Sequence, residues 1–292
     1  MNLPYYPGCT LKTNAKNFED SALRVMEKLD NPLKEMENWI CCGTVFSMTS
    51  DDLMLQLAAI RNLLRAEEQD IKELIVLCSM CYNTLKRAEQ FITKDEENLQ
   101  KVNDIMYKEK GKFQGSVEVK HLLPILRDRI GFDNIKKQIK KPLTNLKLGA
   151  YYGCLLLRPQ DIAIDTFEDP DIIEELMESA GANAIKFPYR LECCGAYQTV
   201  TKKDVTAMRT YEIINSARRA GCEAIVTSCP LCAFNLDQRQ KYTKEVYLDF
   251  KNMPVFYFTE LMSVALGLGW DKSWTELHYV NPEPLLKEKG LI

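Results

Sequence analysis

Short apolar runs and longer stretches with helical spacing alternate along this chain. The run from Glu73 to Leu77 is short and continuously apolar after its first residue, which predicts a buried strand. Apolar residues from Phe18 to Leu29 recur at helical spacing and predict a helix over about 17–29, stopped by Pro32. Alternation of this kind continues through the chain and indicates an α/β fold.

The order of predicted elements then repeats. Residues 148–153 resemble residues 3–8, since each stretch is a short strand with a tyrosine pair and a glycine just before a cysteine. The strand and helix predicted over 254–266 match those over 117–130, an alignment that places His121 opposite Thr259. We therefore predict two pseudo-symmetric halves, each with a small, mainly parallel sheet and flanking helices, and with cysteines at strand ends and helix starts.

The predicted boundaries follow from this repeat. Residues 1–135 form the first half and residues 148–269 the second, separated by a lysine-rich linker over 136–147 that Pro142 interrupts. The remaining residues, 270–292, are predicted to form a tail that contacts a partner protein.

Composition narrows the class of protein. With 46% hydrophobic and 27% charged residues, the chain has the balance of a soluble globular protein. Its apolar runs, such as 261–268, are shorter than the ~20 residues that span a bilayer, and its N-terminus lacks the features of a secretory signal. A net charge of −3 without a basic face argues against nucleic acid as a partner. We expect a cytoplasmic protein.

Ten of the eleven cysteines belong to one pattern that occurs twice. Each copy consists of a lone cysteine, a Cys-Cys-Gly motif and a C-x-x-C motif. The lone cysteine and the cysteine pair are separated by 31 residues in the first copy and by 38 in the second. The cysteine pair and the C-x-x-C motif are separated by 35 residues in the first copy and by 34 in the second. The first set is Cys9, Cys41, Cys42, Cys78 and Cys81, and the second is Cys154, Cys193, Cys194, Cys229 and Cys232. In a reducing compartment such cysteines bind metals or perform redox chemistry rather than form structural disulfides.

Five thiols in a set exceed what common metal sites use. Zinc takes four ligands, and adjacent cysteines are awkward donors to one ion, whereas a cluster of several irons can bind adjacent thiols through different metal atoms. Three alternatives remain open from the residues alone: a thioredoxin-like dithiol at each C-x-x-C, zinc in one half, or a purely structural zinc protein. Cys222 lies outside both sets and is interpreted as a buried thiol, and His121 as a helix-start or surface residue. His278 is uninformative, and Tyr5, Tyr6, Tyr151 and Tyr152 are interpreted as core residues.

The duplicated pattern resembles the tandem cysteine-rich CCG domains of the B-subunit of heterodisulfide reductase, and the resemblance covers nearly the whole chain. It implies that the cysteines of each set bind one noncubane [4Fe–4S] cluster, and that the mixed disulfide of coenzyme M and coenzyme B is reduced between the two clusters in methanogenesis. Such a substrate is anionic, so basic residues near the cysteines are expected to bind it. These are Lys12, Arg158, Arg190, Lys202 and Lys203.

The resemblance also implies partners. The chain has no flavin or nicotinamide motif, so its electrons are expected from other proteins. The resemblance implies the C-subunit of heterodisulfide reductase, which carries two [4Fe–4S] clusters, and the flavin-containing A-subunit. These are expected to act with hydrogenase or formate dehydrogenase in an electron-bifurcating complex. The competing hypothesis is an electron-transfer protein of a related redox complex, which acts on another disulfide or relays electrons to a partner's active site.

Overall fold

Two four-stranded sheets form the centre of the protein, one in each half of the chain. The computed structural model describes residues 2–44, 53–109 and 112–292. The strands are β1 (Leu3–Tyr6), β2 (Leu33–Glu35), β3 (Glu73–Val76), β4 (Glu118–His121), β5 (Lys147–Tyr151), β6 (Asn183–Ile185), β7 (Ala224–Thr227) and β8 (Val255–Tyr257). Their orders are β2-β1-β3-β4 and β6-β5-β7-β8, and all of these pairs are parallel. The predicted α/β fold with pseudo-symmetric halves is confirmed.

Helices connect successive strands, as parallel sheets require. In the first half they are α1 (Gly8–Leu11), α2 (Lys16–Lys28), α3 (Leu53–Glu68), α4 (Ser79–Thr93), α5 (Glu96–Ile105), α6 (Leu122–Pro124), which continues as a π-helix over Ile125–Ile130, and α7 (Phe132–Gln138). In the second half they are α8 (Ile172–Ser179), α9 (Lys203–Arg219), α10 (Pro230–Asp237), α11 (Gln240–Val246), α12 (Phe258–Ala265), α13 (Lys272–Thr275) and α14 (Glu283–Glu288). None of the helices in the described ranges has the length and apolarity needed to cross a membrane.

Sheet register defines which residues of the two halves correspond. Val76 pairs with His121, and Thr227 pairs with Tyr257. Because Val76 and Thr227 both lie two residues before a C-x-x-C motif, His121 corresponds to Tyr257. The predicted match of His121 with Thr259 is therefore wrong: β4 and β8 both run directly into a helix, and these helices begin at Leu122 and Phe258.

The halves pack against each other mainly through α2 of the first half and α12 of the second. Phe18 on α2 stacks on Tyr257 with ring centroids 4.4 Å apart. Ser21 and Thr259 hydroxyls share a hydrogen bond of 2.6 Å. Elsewhere in the interface, Tyr82 on α4 donates to the Ile162 carbonyl at 2.9 Å. These contacts are buried, so the relative placement of the two sheets is fixed.

The C-terminal segment 270–292 lies against both halves. Trp274 is buried, and its indole Nε1 donates to Asp20 on α2 at 2.8 Å. Asp237 at the end of α10 accepts hydrogen bonds from the Tyr279 and Val280 amides at 2.6 and 3.0 Å. The inner side of this segment thus belongs to the core, and contact of its outer side with a partner stays a prediction.

The segment predicted as a linker lies at the junction of the two halves. Residues 136–138 are the last turn of α7, and Lys147 is the first residue of β5. Leu143 and Leu146 between them are fully buried. The two halves are therefore joined by a packed connection.

Candidate functional site

The first cysteine set is assembled at the carboxyl edge of the first sheet. Cys9 lies in α1 directly after β1, the Cys41-Cys42 pair follows β2, and Cys78 and Cys81 follow β3 at the start of α4. The Cys9 and Cys41 sulfurs are 3.9 Å apart, and those of Cys42 and Cys81 are 3.5 Å apart. Parallel strands end at one edge, so segments far apart in sequence meet there.

The second set repeats this arrangement on the second sheet. Cys154 follows β5, the Cys193-Cys194 pair follows β6, and Cys229 and Cys232 follow β7 at the start of α10. Cys194 and Cys232 sulfurs are 3.6 Å apart, which matches the pairing of Cys42 with Cys81. The structure therefore brings together the five predicted cysteines of each set.

The two sets meet between the halves. Cys78 and Cys229, which are equivalent residues, lie close enough for each thiol to shift the pKa of the other, upward at Cys78 and downward at Cys229. Next to them the hydroxyls of Ser79 and Ser228 are 2.9 Å apart, and both serines are buried. A pocket beside the second set is lined by second-half cysteines together with Ser79 and Met80 of the first half. The lining of this small pocket, about 10 Å³ in accessible volume, comes from both halves.

The donor set fits an iron–sulfur group. All eleven cysteines are free, and the sulfur separations of 3.5–3.9 Å exceed the ~2.05 Å of a disulfide. The sulfurs lie in pairs, and within the described ranges no three potential ligand side chains converge as a site for one metal ion. Thiolates are ligands for soft metals and iron–sulfur clusters, and a group with several metal atoms has separated binding points.

Glycines leave space beside the cysteines in both halves. Gly8 and Gly153 each precede the lone cysteine of a set and have positive φ angles of 72° and 65°. A Cβ at Gly8 would lie 3.0 Å from the Cys81 sulfur, and one at Gly153 would lie 3.1 Å from the Cys232 sulfur. A side chain at either position would crowd a sulfur ligand, so both the backbone angle and the space require glycine.

Hydrogen bonds favour the thiolate form at one residue of each double cysteine. The pKa of Cys193 is lowered to about 2, because Cys154 and Cys194 donate hydrogen bonds to it and the Gly195 amide lies 3.4 Å from its sulfur. In the first half the pKa of Cys42 is lowered by hydrogen bonds from Cys41 and Cys81. Because the thiolate is the form that binds metals, these contacts prepare the sites for ligation.

Two equivalent tyrosines hold the double-cysteine segments. Tyr6 donates to the Ile40 carbonyl at 2.7 Å, and Tyr151 donates to the Glu192 carbonyl at 2.5 Å. Each acceptor is the residue just before a double cysteine. This role of the tyrosines was not predicted from the sequence. Each of the two lies three residues before the lone cysteine of its set, and this constant spacing could have indicated the role. The other members of the two tyrosine pairs, Tyr5 and Tyr152, donate instead to the carboxylates of Glu19 and Glu174.

Replacing Tyr6 by Phe should lower the free energy of unfolding by about 0.5–1.5 kcal/mol, because the half-buried Ile40 carbonyl loses its donor. We also expect a lower iron content in the first site. Urea unfolding and iron analysis measure the two effects. Tyr242→Phe is the control, since Tyr242 is half-buried and has no hydrogen bond assigned in the described structure. Equal behaviour of both variants would show that the Tyr6 hydroxyl does not position the cysteines.

Two of the predicted substrate-binding cations are engaged in ion pairs. Lys12 lies 2.7 Å from Glu19 and 2.5 Å from Glu35. Arg190 is buried, donates to Glu174 at 2.9 Å and also pairs with Asp169. Both side chains thus stabilise the fold near the cysteine segments.

The other three predicted cations are exposed. The Arg158 guanidinium lies over the Phe167 ring, 5.4 Å from its centroid, and Lys202 and Lys203 begin α9. None of the five predicted cations lines the pocket at the second cysteine set. Their role in binding a substrate stays a prediction.

Cys222 and the two histidines take no part in the contacts among the thiols of the two cysteine sets. Cys222 is buried, and burial raises its pKa to about 11. His121 is buried at the start of α6, where its ring accepts from the Leu123 amide and bonds to the Leu77 carbonyl. Burial lowers its pKa to about 3, so it is neutral. His278, by contrast, belongs to a buried ion pair described below.

Comparison with known proteins gives a match to the family model described as CCG, cysteine-rich domain, at residues 3–86 and 148–237. The 8-methylmenaquinol:fumarate reductase membrane anchor subunit of Wolinella succinogenes is 31% identical over 90% of this chain and 92% of its own length. The B-subunit of the ferredoxin:CoB-CoM heterodisulfide reductase of Methanosarcina mazei is 26% identical over 95% and 93%. A heterodisulfide reductase B-subunit-like protein of Archaeoglobus profundus is 28% identical over 91% and 90%.

Among solved structures, a crystal structure of a hypothetical protein from Helicobacter pylori has the same fold. It superposes with a TM-score of 0.75 at 12% sequence identity and covers 95% of this chain. The chain corresponds to 51% of that protein's length. This similarity concerns the fold alone.

Proposed function

Because the chain belongs to the family of CCG cysteine-rich domains and carries two copies of the domain, we propose that it is the iron–sulfur component of a disulfide-reducing complex. The 2.9 Å contact between the hydroxyls of Ser79 and Ser228 carries the proposal, because each serine is adjacent in the chain to a cysteine of its set and the contact places the two sets next to each other. Two electron-transfer sites that lie side by side suit a reaction in which two sulfurs are separated.

Each set of five cysteines would hold one noncubane [4Fe–4S] cluster. Such clusters supply one-electron transfer and iron atoms that accept sulfur ligands. The overall reaction cleaves one S–S bond, consumes two electrons and two protons, and releases two thiols. The electrons come from an iron–sulfur partner protein. Ser79 and Met80 of the first half lie beside the second set and would adjoin its cluster.

The proposed substrate and partners follow the relatives named as B-subunits of heterodisulfide reductase. The disulfide would be that of coenzyme M and coenzyme B. The electron donors would be the C-subunit and the flavin-containing A-subunit of such a reductase, with hydrogenase or formate dehydrogenase, in the cytoplasm. Arg158, Lys202 and Lys203 have the exposed cationic side chains that could bind the anionic groups of the disulfide.

A second candidate function is electron relay to a partner's active site. It is favoured by the 31% identity to a subunit of the fumarate reductase from Wolinella succinogenes. In this case the clusters would accept and pass on electrons without binding a disulfide.

Metal analysis and turnover distinguish the two functions. The anaerobically purified chain should contain about eight iron atoms, four per cluster. With reduced viologen as donor, it should release thiols from the heterodisulfide. Clusters that are reduced without thiol release would support electron relay. A colourless protein that contains zinc and no iron would contradict both candidates.

A further inference from the structure

The side chain of Asn235 contacts a cysteine of the second set. Asn235 lies on α10, three residues after Cys232, and it is fully buried. Its amide Nδ2 donates to the Cys194 carbonyl oxygen at 3.0 Å and to the Cys194 sulfur at 3.6 Å. Cys194 thus receives an N–H···S hydrogen bond from a side chain that the proposed function does not use.

The orientation of this amide follows from its surroundings. If Nδ2 and Oδ1 of Asn235 changed places, an oxygen would lie 3.0 Å from the Cys194 carbonyl oxygen, and two acceptors would face each other. The helix itself is held in place, because the Thr210 hydroxyl on α9 donates to the Asn235 carbonyl at 3.0 Å. The N–H group is therefore directed toward the sulfur.

The first half has a different residue at the equivalent position. Three residues after Cys81, the place of Asn235 is taken by Thr84, which is also buried. The Thr84 hydroxyl donates to the Met80 carbonyl of its own helix at 2.9 Å and lies 3.2 Å from the Thr44 hydroxyl. The two halves repeat the cysteines, but they differ in the side-chain amide at this position.

The second set is also less accessible to solvent than the first. Cys9 and Cys41 are exposed, whereas their equivalents Cys154 and Cys193 are half-buried. A buried iron–sulfur group is harder to reduce, because the added electron increases a negative charge that water stabilises better than the protein interior does. An N–H donor at a ligand sulfur acts in the opposite direction, since it stabilises that charge.

We propose that Asn235 raises the reduction potential of the second iron–sulfur site through its hydrogen bond to the Cys194 sulfur, and so offsets the burial of that site. Asn235 is thus a positioning residue that acts through Cys194. The two sites then accept electrons at more similar potentials than their exposure alone would give. The inference rests on the part of the proposed function that assigns a cluster to each cysteine set, and it holds whether the clusters reduce a disulfide or relay electrons.

Replacing Asn235 by Leu removes the N–H donor and keeps the branched shape of the side chain. We expect the equilibrium constant for one-electron reduction of the second site to fall at least ten-fold, which lowers its midpoint potential by about 59 mV. Redox titration followed by electron paramagnetic resonance measures the potential. An unchanged or higher potential would overturn the proposal.

Variants that retain a single site show where the shift occurs. Cys41→Ala retains the second site, and Asn235→Leu in this background should lower the potential of that site. Cys193→Ala retains the first site, whose potential should not respond to the same substitution. Equal shifts in both backgrounds would show that Asn235 acts through the fold as a whole and not through Cys194, which contradicts the assignment.

Two further variants separate the hydrogen bond from the stability of the fold. Asn235→Thr introduces the residue of the first half and should lower the potential, even if the leucine variant does not fold. Asn103→Leu is the matched control, because the Asn103 amide donates to the Leu99 and Phe113 carbonyls on and beside α5, outside both cysteine sets. This control should leave both potentials unchanged, and a shift equal to that of Asn235→Thr would refute the proposal. Loss of the second cluster in both Asn235 variants would assign the residue to cluster assembly and would also overturn the tuning role.

Iron content and thiol release are measured on the same samples. Iron-containing protein whose second-site potential does not respond to either Asn235 substitution would refute this inference alone. The expected shift in protein that releases no thiols from the disulfide would refute disulfide reduction alone. Protein without iron would refute the proposed function and the inference with it.

Discussion

A chain with Cys193 replaced by Ala is expected to hold one cluster instead of two and to lose disulfide reduction completely. The pKa of Cys193 is lowered, as is that of Cys229 in the same set, and Cys193 forms hydrogen bonds with both Cys154 and Cys194. Its removal therefore takes away the thiolate that the neighbouring thiols stabilise. Electron paramagnetic resonance and iron analysis should show that about half of the cluster signal is lost, and turnover with an artificial donor should fall below detection.

Cys222→Ala is the matched control for this experiment. Cys222 is equally a buried thiol of the second half, but it packs against Gly149 and Phe187 outside both sets. This variant should keep both clusters and full activity. Cys41→Ala should reproduce the loss at the first site. Full turnover in either cluster-site variant would exclude a reaction that needs both sites.

Replacing Glu260 by Leu should destabilise the protein by about 3–5 kcal/mol, because it leaves the His278 side chain buried without its ion-pair partner. Glu260 is fully buried, and its carboxylate lies 3.0 Å from the ring of His278. Urea unfolding measures the loss. Glu245→Leu is the control, since Glu245 is exposed on α11 and should change stability little.

The same ion pair predicts how stability depends on pH. Burial opposes protonation of His278, but the Glu260 carboxylate outweighs it and the pKa of His278 is raised above its ordinary value of 6.5. A raised pKa means that the stabilisation is fully present below pH 6.5 and is lost as the pH rises through the folded-state pKa. The difference in unfolding free energy between the native chain and His278→Gln should therefore shrink at alkaline pH. A difference that stays constant from pH 6 to 10 would show that His278 is not charged in the folded protein.

Cysteine spacing made most of the fold predictable. Each predicted strand that leads into a cysteine segment, such as 73–77, is a strand in the structure. The helix predicted over 17–29 is α2, Lys16–Lys28. The match between His121 and Thr259 failed because no cysteine lies near β4 or β8 to fix the alignment there.

Within the candidate site, the cysteines were predictable because the sequence repeats them, whereas their surroundings were not. Asn17 and Glu260 are 243 positions apart and meet only through the packing of α2 on α12. The nearness of a basic residue to a cysteine in the sequence also did not indicate which way its side chain points. Lys12 lies three residues after Cys9, yet its ammonium group pairs with Glu19 and Glu35.

Cys78 and Cys229, equivalent residues of the two halves, lie close enough for each thiol to shift the pKa of the other, and this contact bears on the origin of the chain. Equivalent residues of two copies lie next to each other when they are close to a twofold axis, which is the geometry of an isologous dimer. A single-domain ancestor that paired with its own copy would have made the same contact. Fusion of the two copies into one polypeptide freed equivalent positions to diverge, as His121 and Tyr257 have done. One cysteine site of the dimer could thereby gain a chemistry that its symmetric counterpart lacks.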